Sequence, residues 1–189
     1  MIDKYQHRLQ TLLENDPLRM EILRAVSTLD LPDCWVAAGF VRNLVWDHLH
    51  HKNTRLNDVD VIYYCQSDTQ GQLAINATEQ LHEKLPKVNW QVKNQALMHN
   101  KNQHNQHNQY LSSIDAMTFW PEQETAVAVA LDARGDISVA APFGLRPLFK
   151  GSITVNPKAD EEIFWQRIQQ KSWLTSWPKL LVINSHSDN

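Results

Sequence analysis

The chain has 189 residues, 42% of them apolar and 21% charged, with a formal net charge of −3. That apolar content is ordinary for a globular protein and excludes wholesale disorder. The longest near-apolar run, Cys34 to Val41, is eight residues, far short of the ~20 that span a bilayer, so no membrane span is expected. An acidic balance makes nucleic acid an unlikely partner, since such binding draws on clustered Lys and Arg. It leaves room for an enzyme that touches one nucleotide through a metal.

Met1 to Tyr5 open a polar stretch without the apolar core of a signal peptide, and Cys34 and Cys65 stand apart with no metal-ligand spacing. A reduced, cytoplasmic compartment with both thiols buried is the expectation. Leu18, Ile22, Val26 and Leu29 recur on one helical face from Pro17, a residue suited to a first turn, until Leu31-Pro32-Asp33 ends the run. Cys34 to Ala38 reads as a buried strand. After Gly39 the period changes, and Val41, Leu44, Val45, His48 and Leu49 share a helical face. A polar loop, His50 to Asn57, precedes a second strand through Val59, Val61, Ile62, Tyr63 and Tyr64. Gln72 to Leu85 predicts a third helix, and the alternation of Val88, Trp90 and Val92 a third strand.

Asn100 to Gln109 contains only Asn, Gln, His and Lys, a tract unable to bury apolar area and expected to be a mobile loop. His104 and His107 lie three apart there, and a solvated loop explains them better than a metal does. Thr125 to Leu131 and Ile137 to Ala141 predict an antiparallel hairpin closed through Gly135. A last helix is expected from about Ala159 to Trp173. Alternation followed by a meander predicts an α/β (α+β) fold, a mixed β-sheet flanked by helices. The whole span 1–189 is read as one domain, with the C-terminal hairpin and helix (about 121–180) extending its core.

Asp58-Val59-Asp60 carries the chemistry. On a strand, residues i and i+2 point to one face, so both carboxylates project together. Two such charges repel unless a cation sits between them, and Mg²⁺ or Mn²⁺ suits carboxylate, phosphate and water oxygens. Nineteen residues before Asp58, Gly39 stands at a strand-to-helix turn, where the backbone can approach a phosphate and the helix N-terminus favours an anion. Arg42 in the first turn can add a charge-assisted contact. A triphosphate against that helix end, bridged by metal to Asp58 and Asp60, is an arrangement for in-line nucleotidyl transfer.

Ala38-Gly39-Phe40-Val41-Arg42-Asn43 with Asp58-Val59-Asp60 resembles the head motif of the DNA polymerase β-like nucleotidyltransferase superfamily, closest to the form in tRNA-nucleotidyltransferase heads. Most of residues 17–183 looks like a bacterial nucleotidyltransferase-like family within it. Trp46-Asp47, Val92 to Ala96, Ala141 to Leu145, Trp173-Leu174 and Trp177-Pro178 continue the match. The resemblance implies a minimal nucleotidyltransferase fold and Asp58 and Asp60 as metal ligands. It also implies Gly39 at the phosphate turn, where Arg42 and Asn43 are expected to receive the triphosphate; Lys93, Asn94 and Gln95 follow the third strand and could line the site. Ala38 stands where the superfamily usually has Gly, Phe40 where many members have Ser, and Asn43 where the tRNA-type head has Asp. Val88 to Lys93 lacks the third carboxylate of many members, for which Asp115 or Glu124 could substitute. The expected activity is Mg-dependent transfer of a nucleoside monophosphate from an NTP to an unknown acceptor. The alternative is a weakly active or inactive nucleotide-binding module on the same fold.

Overall fold

The computed structural model describes residues 4–98 and 109–184. His104, His107 and most of the polar tract lie outside them. Five strands form a mixed sheet in the order β3-β2-β1-β4-β5. The elements run α1 (Lys4–Glu14), α2 (Pro17–Ser27), β1 (Trp35–Ala37), α3 (Gly39–His50), β2 (Asp58–Tyr63), α4 (Gln72–Lys84) and β3 (Asn89–Asn94). After them come α5 (Ser113–Met117), β4 (Ala128–Leu131), β5 (Ile137–Ala140), α6 (Arg146–Lys150), β6 (Ser152–Thr154), α7 (Glu161–Gln170), α8 (Trp173–Ser176) and β7 (Leu181–Ile183). Strands β2 and β3 are parallel, joined through α4, while β1–β2, β1–β4 and β4–β5 are antiparallel.

Alternation along the strands separates two cores. Val36, Val59, Val61, Trp90 and Val129 face the larger one, which Leu9, Leu13, Ile22, Leu23, Phe40, Val45 and Trp46 fill from the helices. The opposite face is shallow. Ala37, Ala128 and Ala140 pack there with Ile62 and Met117, and Trp120 and Phe143 cover them in part. Short side chains on that face leave room beside Asp58 and Asp60.

The expected hairpin continues the central sheet, because β4 pairs with β1 through Val36–Val129 and Ala37–Ala128. Helix α1 was not foreseen. Its buried residues are only Leu9 and Leu13 in a polar segment, too few to show a periodic face. The expected final helix breaks into α7 and α8 at Ser172, whose φ of 52° is left-handed. Strands β6 and β7, three residues each, pair in parallel across the intervening residues 155–180 and give no local signal.

The C-terminal segment docks on α3. Trp46 is fully buried and meets the edges of Trp173 and Trp177, with ring centroids 5.7 and 5.2 Å away. Trp177 Nε1 donates to Asp47 Oδ1 at 2.8 Å, and Asp47 Oδ2 accepts from Thr54 N and Oγ1, each at 2.9 Å. His50 Nε2 accepts from Lys179 N at 2.9 Å. The Trp46-Asp47 and Trp173 to Trp177 motifs therefore form one packing unit, which also anchors the loop leading into β2.

Candidate active site

Strand register brings the two sequence elements together. Ala37 lies opposite Asp60, so the turn from β1 into α3 abuts the first half of β2. Burial of Val59 and Val61 turns Asp58 and Asp60 onto the shallow face. Both line a cleft of about 220 Å³ together with Gly39, Arg42 and Asn43. Asp58 is exposed and makes no hydrogen bond or ion pair among the described residues, whereas Asp60 is half-buried and accepts from Lys93 Nζ at 3.1 Å.

Helix α3 opens on Ala38, with φ 56° and ψ −123° and no side-chain cap. Val41 N and Arg42 N both donate to Ala38 O, at 3.1 and 2.9 Å, which leaves the N–H groups of Gly39 and Phe40 for a ligand at the cleft. A Cβ at position 39 would stand 3.6 Å from both the Arg42 guanidinium and the Asn43 amide, so the glycine keeps this end of the helix open beside them.

Arg42 is buried rather than paired with either aspartate. Its guanidinium lies 4.8 Å from the Trp46 ring and 4.4 Å from that of Trp173. It donates to Thr125 Oγ1 at 2.6 Å and to Asn43 Oδ1 at 3.1 and 3.2 Å. Burial lowers its pKa to about 10, partly offset by Glu122, and it stays charged at neutral pH. The pair of bonds to Asn43 Oδ1 orients that amide so that Nδ2 is its free donor. An Asp at this position would turn a negative charge toward the helix end instead.

Four cations line the cleft against the two carboxylates: Arg42, Arg55, Arg167 and Lys171. Arg167 holds the buried Glu122 in a fork at 2.5 and 3.2 Å. Arg55 and Lys171 are exposed and unpaired among the described residues. They escaped the sequence reading because one lies in a polar loop and the other beyond α7, where nothing local ties them to Asp58.

Asn94 is elsewhere. It is buried, and its amide bridges the loop after β2, donating to Cys65 O at 2.8 Å and Asp68 O at 3.2 Å while accepting from Cys65 N and Ala96 N. It does not line the cleft, because a polar residue closing a strand here serves a turn. Neither substitute carboxylate reaches the cleft. Asp115 accepts from Leu111 N at 2.9 Å. Glu124 is buried and holds Thr154 N and Oγ1, each at 2.7 Å, with its pKa raised by burial. Among the described residues no group of three or more His, Cys, Asp or Glu could hold a metal. The donor set is two hard carboxylates open to solvent, which suits Mg²⁺ completed by phosphate and water oxygens.

A sequence profile for a family described as nucleotidyltransferase matches residues 24–182. The chain belongs to that family. Its fold matches a solved CCA-adding enzyme head domain with 31% identity and a TM-score of 0.81, covering 95% of this chain and 96% of that one. It also matches a CCA-adding enzyme in complex with CTP and an apo form, each 14% identical, with TM-scores of 0.54 and 0.55. Those two alignments cover 89% of this chain and 47% of theirs, and they speak to the fold alone. No curated protein matches. Family membership and the head-domain likeness make transfer of a nucleoside monophosphate the reaction class. Among the described residues no helix is long and apolar enough to cross a membrane.

Proposed function

We propose that the chain transfers a nucleoside monophosphate from an NTP to a hydroxyl acceptor with Mg²⁺, releasing pyrophosphate. Asp58 and Asp60 hold the metal. The N–H groups of Gly39 and Phe40, at the start of α3, receive the β- and γ-phosphates. Asn43 Nδ2 donates to them, and Arg42 orients Asn43 while its charge lies beneath the phosphates. Arg55 and Lys171 neutralise the outer phosphates at the mouth. When bound, the metal withdraws charge from the α-phosphate oxygens. The acceptor oxygen forms a bond to the α-phosphorus as the bond to the β-phosphate oxygen breaks. Pyrophosphate leaves toward α3, and the hydroxyl proton passes to water.

The observation that carries this reading is one cleft lined by both carboxylates, by a helix N-terminus opened by Gly39, and by four cations. An anionic ligand is favoured there despite the net charge of −3. The same overall charge argues for an acceptor other than nucleic acid. The test is pyrophosphate release from each of the four NTPs with Mg²⁺ and a panel of small hydroxyl acceptors. Release that disappears in Asp58→Asn and Asp60→Asn supports the proposal. Release unaffected by both substitutions, or absent with every NTP, overturns it.

A further inference from the structure

Parallel pairing of β2 with β3 sets Asp58 beside Asn89, Asp60 beside Gln91 and Ile62 beside Lys93. Those three β3 side chains share the face that carries the aspartates, and none is a carboxylate. Lys93 instead reaches back along the strand, and its Nζ sits 3.1 Å from Asp60 Oδ1. Two divalent cations ~3.5–4 Å apart need enough anionic oxygen to hold both, as in two-metal sites. Here Asp58 and Asp60 supply two negative charges, one of them shared with an ammonium, and no third acidic residue completes a cluster among the described residues.

We infer that Lys93 takes the place of a second divalent cation, so that the site works with one metal and one fixed ammonium. This rests on the reading of Asp58 and Asp60 as metal ligands. Lys93 also lines a second cavity of about 270 Å³, with Ile62, Gln95, Met98 and Trp120, that meets the phosphate cleft at Asp60 and Ala38. In-line displacement brings the attacking oxygen from the side opposite the leaving pyrophosphate. Lys93 on the side of Asp60 away from α3 therefore faces the incoming hydroxyl, where a positive charge stabilises negative charge developing on the attacking oxygen. It is a positioning and charge-supplying residue, with the carboxylates holding the metal.

The experiment counts Mn²⁺ bound per chain by electron paramagnetic resonance, with a non-hydrolysable NTP analogue present. The wild type is expected to bind about one Mn²⁺, and Lys93→Glu, which adds a third carboxylate beside Asp60, about two. Lys93→Met is expected to stay at one site with Mn²⁺ held about two- to fivefold more tightly, the range for removing an exposed competing ion pair. Lys93→Arg is expected to keep one site at the wild-type affinity. Two Mn²⁺ on the wild type, or an unchanged Mn²⁺ affinity in Lys93→Met, overturns the role of Lys93 while leaving the metal at Asp58 and Asp60 in place. No Mn²⁺ on the wild type overturns that metal site as well.

Discussion

Replacing Ala38 by Gly tests how the turn at the cleft is built. At φ 56° and ψ −123° Ala38 occupies backbone space that L side chains avoid. Such a conformation costs about 1–3 kcal/mol. Against that relief, glycine adds about 0.5–1 kcal/mol of unfolded-state entropy. The methyl lost from a residue only 8% exposed removes at most about 0.8 kcal/mol of burial. The backbone N–H keeps its bond to Val127 O at 2.9 Å, so no hydrogen bond changes. Taking mid-range values, Ala38→Gly gains about 0.5 kcal/mol, or roughly 1–2 °C in melting temperature for a chain of this size. Ala38→Val has no such relief and adds a β-branched side chain at positive φ, for a loss of about 2 kcal/mol or more. Differential scanning calorimetry of the three proteins decides the matter. Destabilisation of Ala38→Gly by more than 1 kcal/mol, or a neutral Ala38→Val, would refute the strained turn.

Two other predictions concern the frame around the site. Asp47→Ala strips the partners from Trp177 Nε1, Thr54 N and Thr54 Oγ1, all at or near burial, and should cost about 2–4 kcal/mol in urea unfolding. A loss below 1 kcal/mol would show that the C-terminal segment docks without it. Glu124 binds its proton more tightly when folded, because burial raises its pKa above the ordinary 4.5. Its contribution is therefore full below that value and falls as pH rises through the folded pKa. Glu124→Gln, which stays neutral, should gain on the wild type as pH rises above the ordinary 4.5 and through the raised folded pKa. A stability gap that stays level or narrows with pH contradicts the assignment.

Much of the site was legible because its signals are local. The change of period at Gly39 marks the β1–α3 turn, and Asp58-Val59-Asp60 sits in a strand whose valines alternate with its carboxylates. Both depend on neighbours within a few residues. What escaped depends on register and distance. Lys93 stands beside Asn94 among the strand-end residues expected near the site, but its contact with Asp60 follows only from the β2–β3 pairing, and the place of Arg167 and Lys171 in the cleft only from the return of the C-terminal segment over α3. Asn94 looked like a ligand because a polar strand end and a site residue read alike; the loop at Cys65 and Asp68 that uses it is 26 to 29 residues away. Arg42 is expected from its first-turn position to contact a phosphate; it lines the cleft, and its packing on Trp46 and Trp173, the latter 131 positions along the chain, has no local signal.

Thermal stability with each NTP, with and without Mg²⁺, compared between the wild type and Asp60→Asn, bears most directly on the site. A ligand bound only by the native state at 100 times its dissociation constant adds about 2.7 kcal/mol, several degrees for this chain. The wild type should show that rise with at least one NTP when Mg²⁺ is present and lose it in chelator, while Asp60→Asn keeps its fold and shows no rise. An equal, Mg²⁺-dependent rise in Asp60→Asn would contradict a metal held between the two carboxylates of β2 and the opened end of α3.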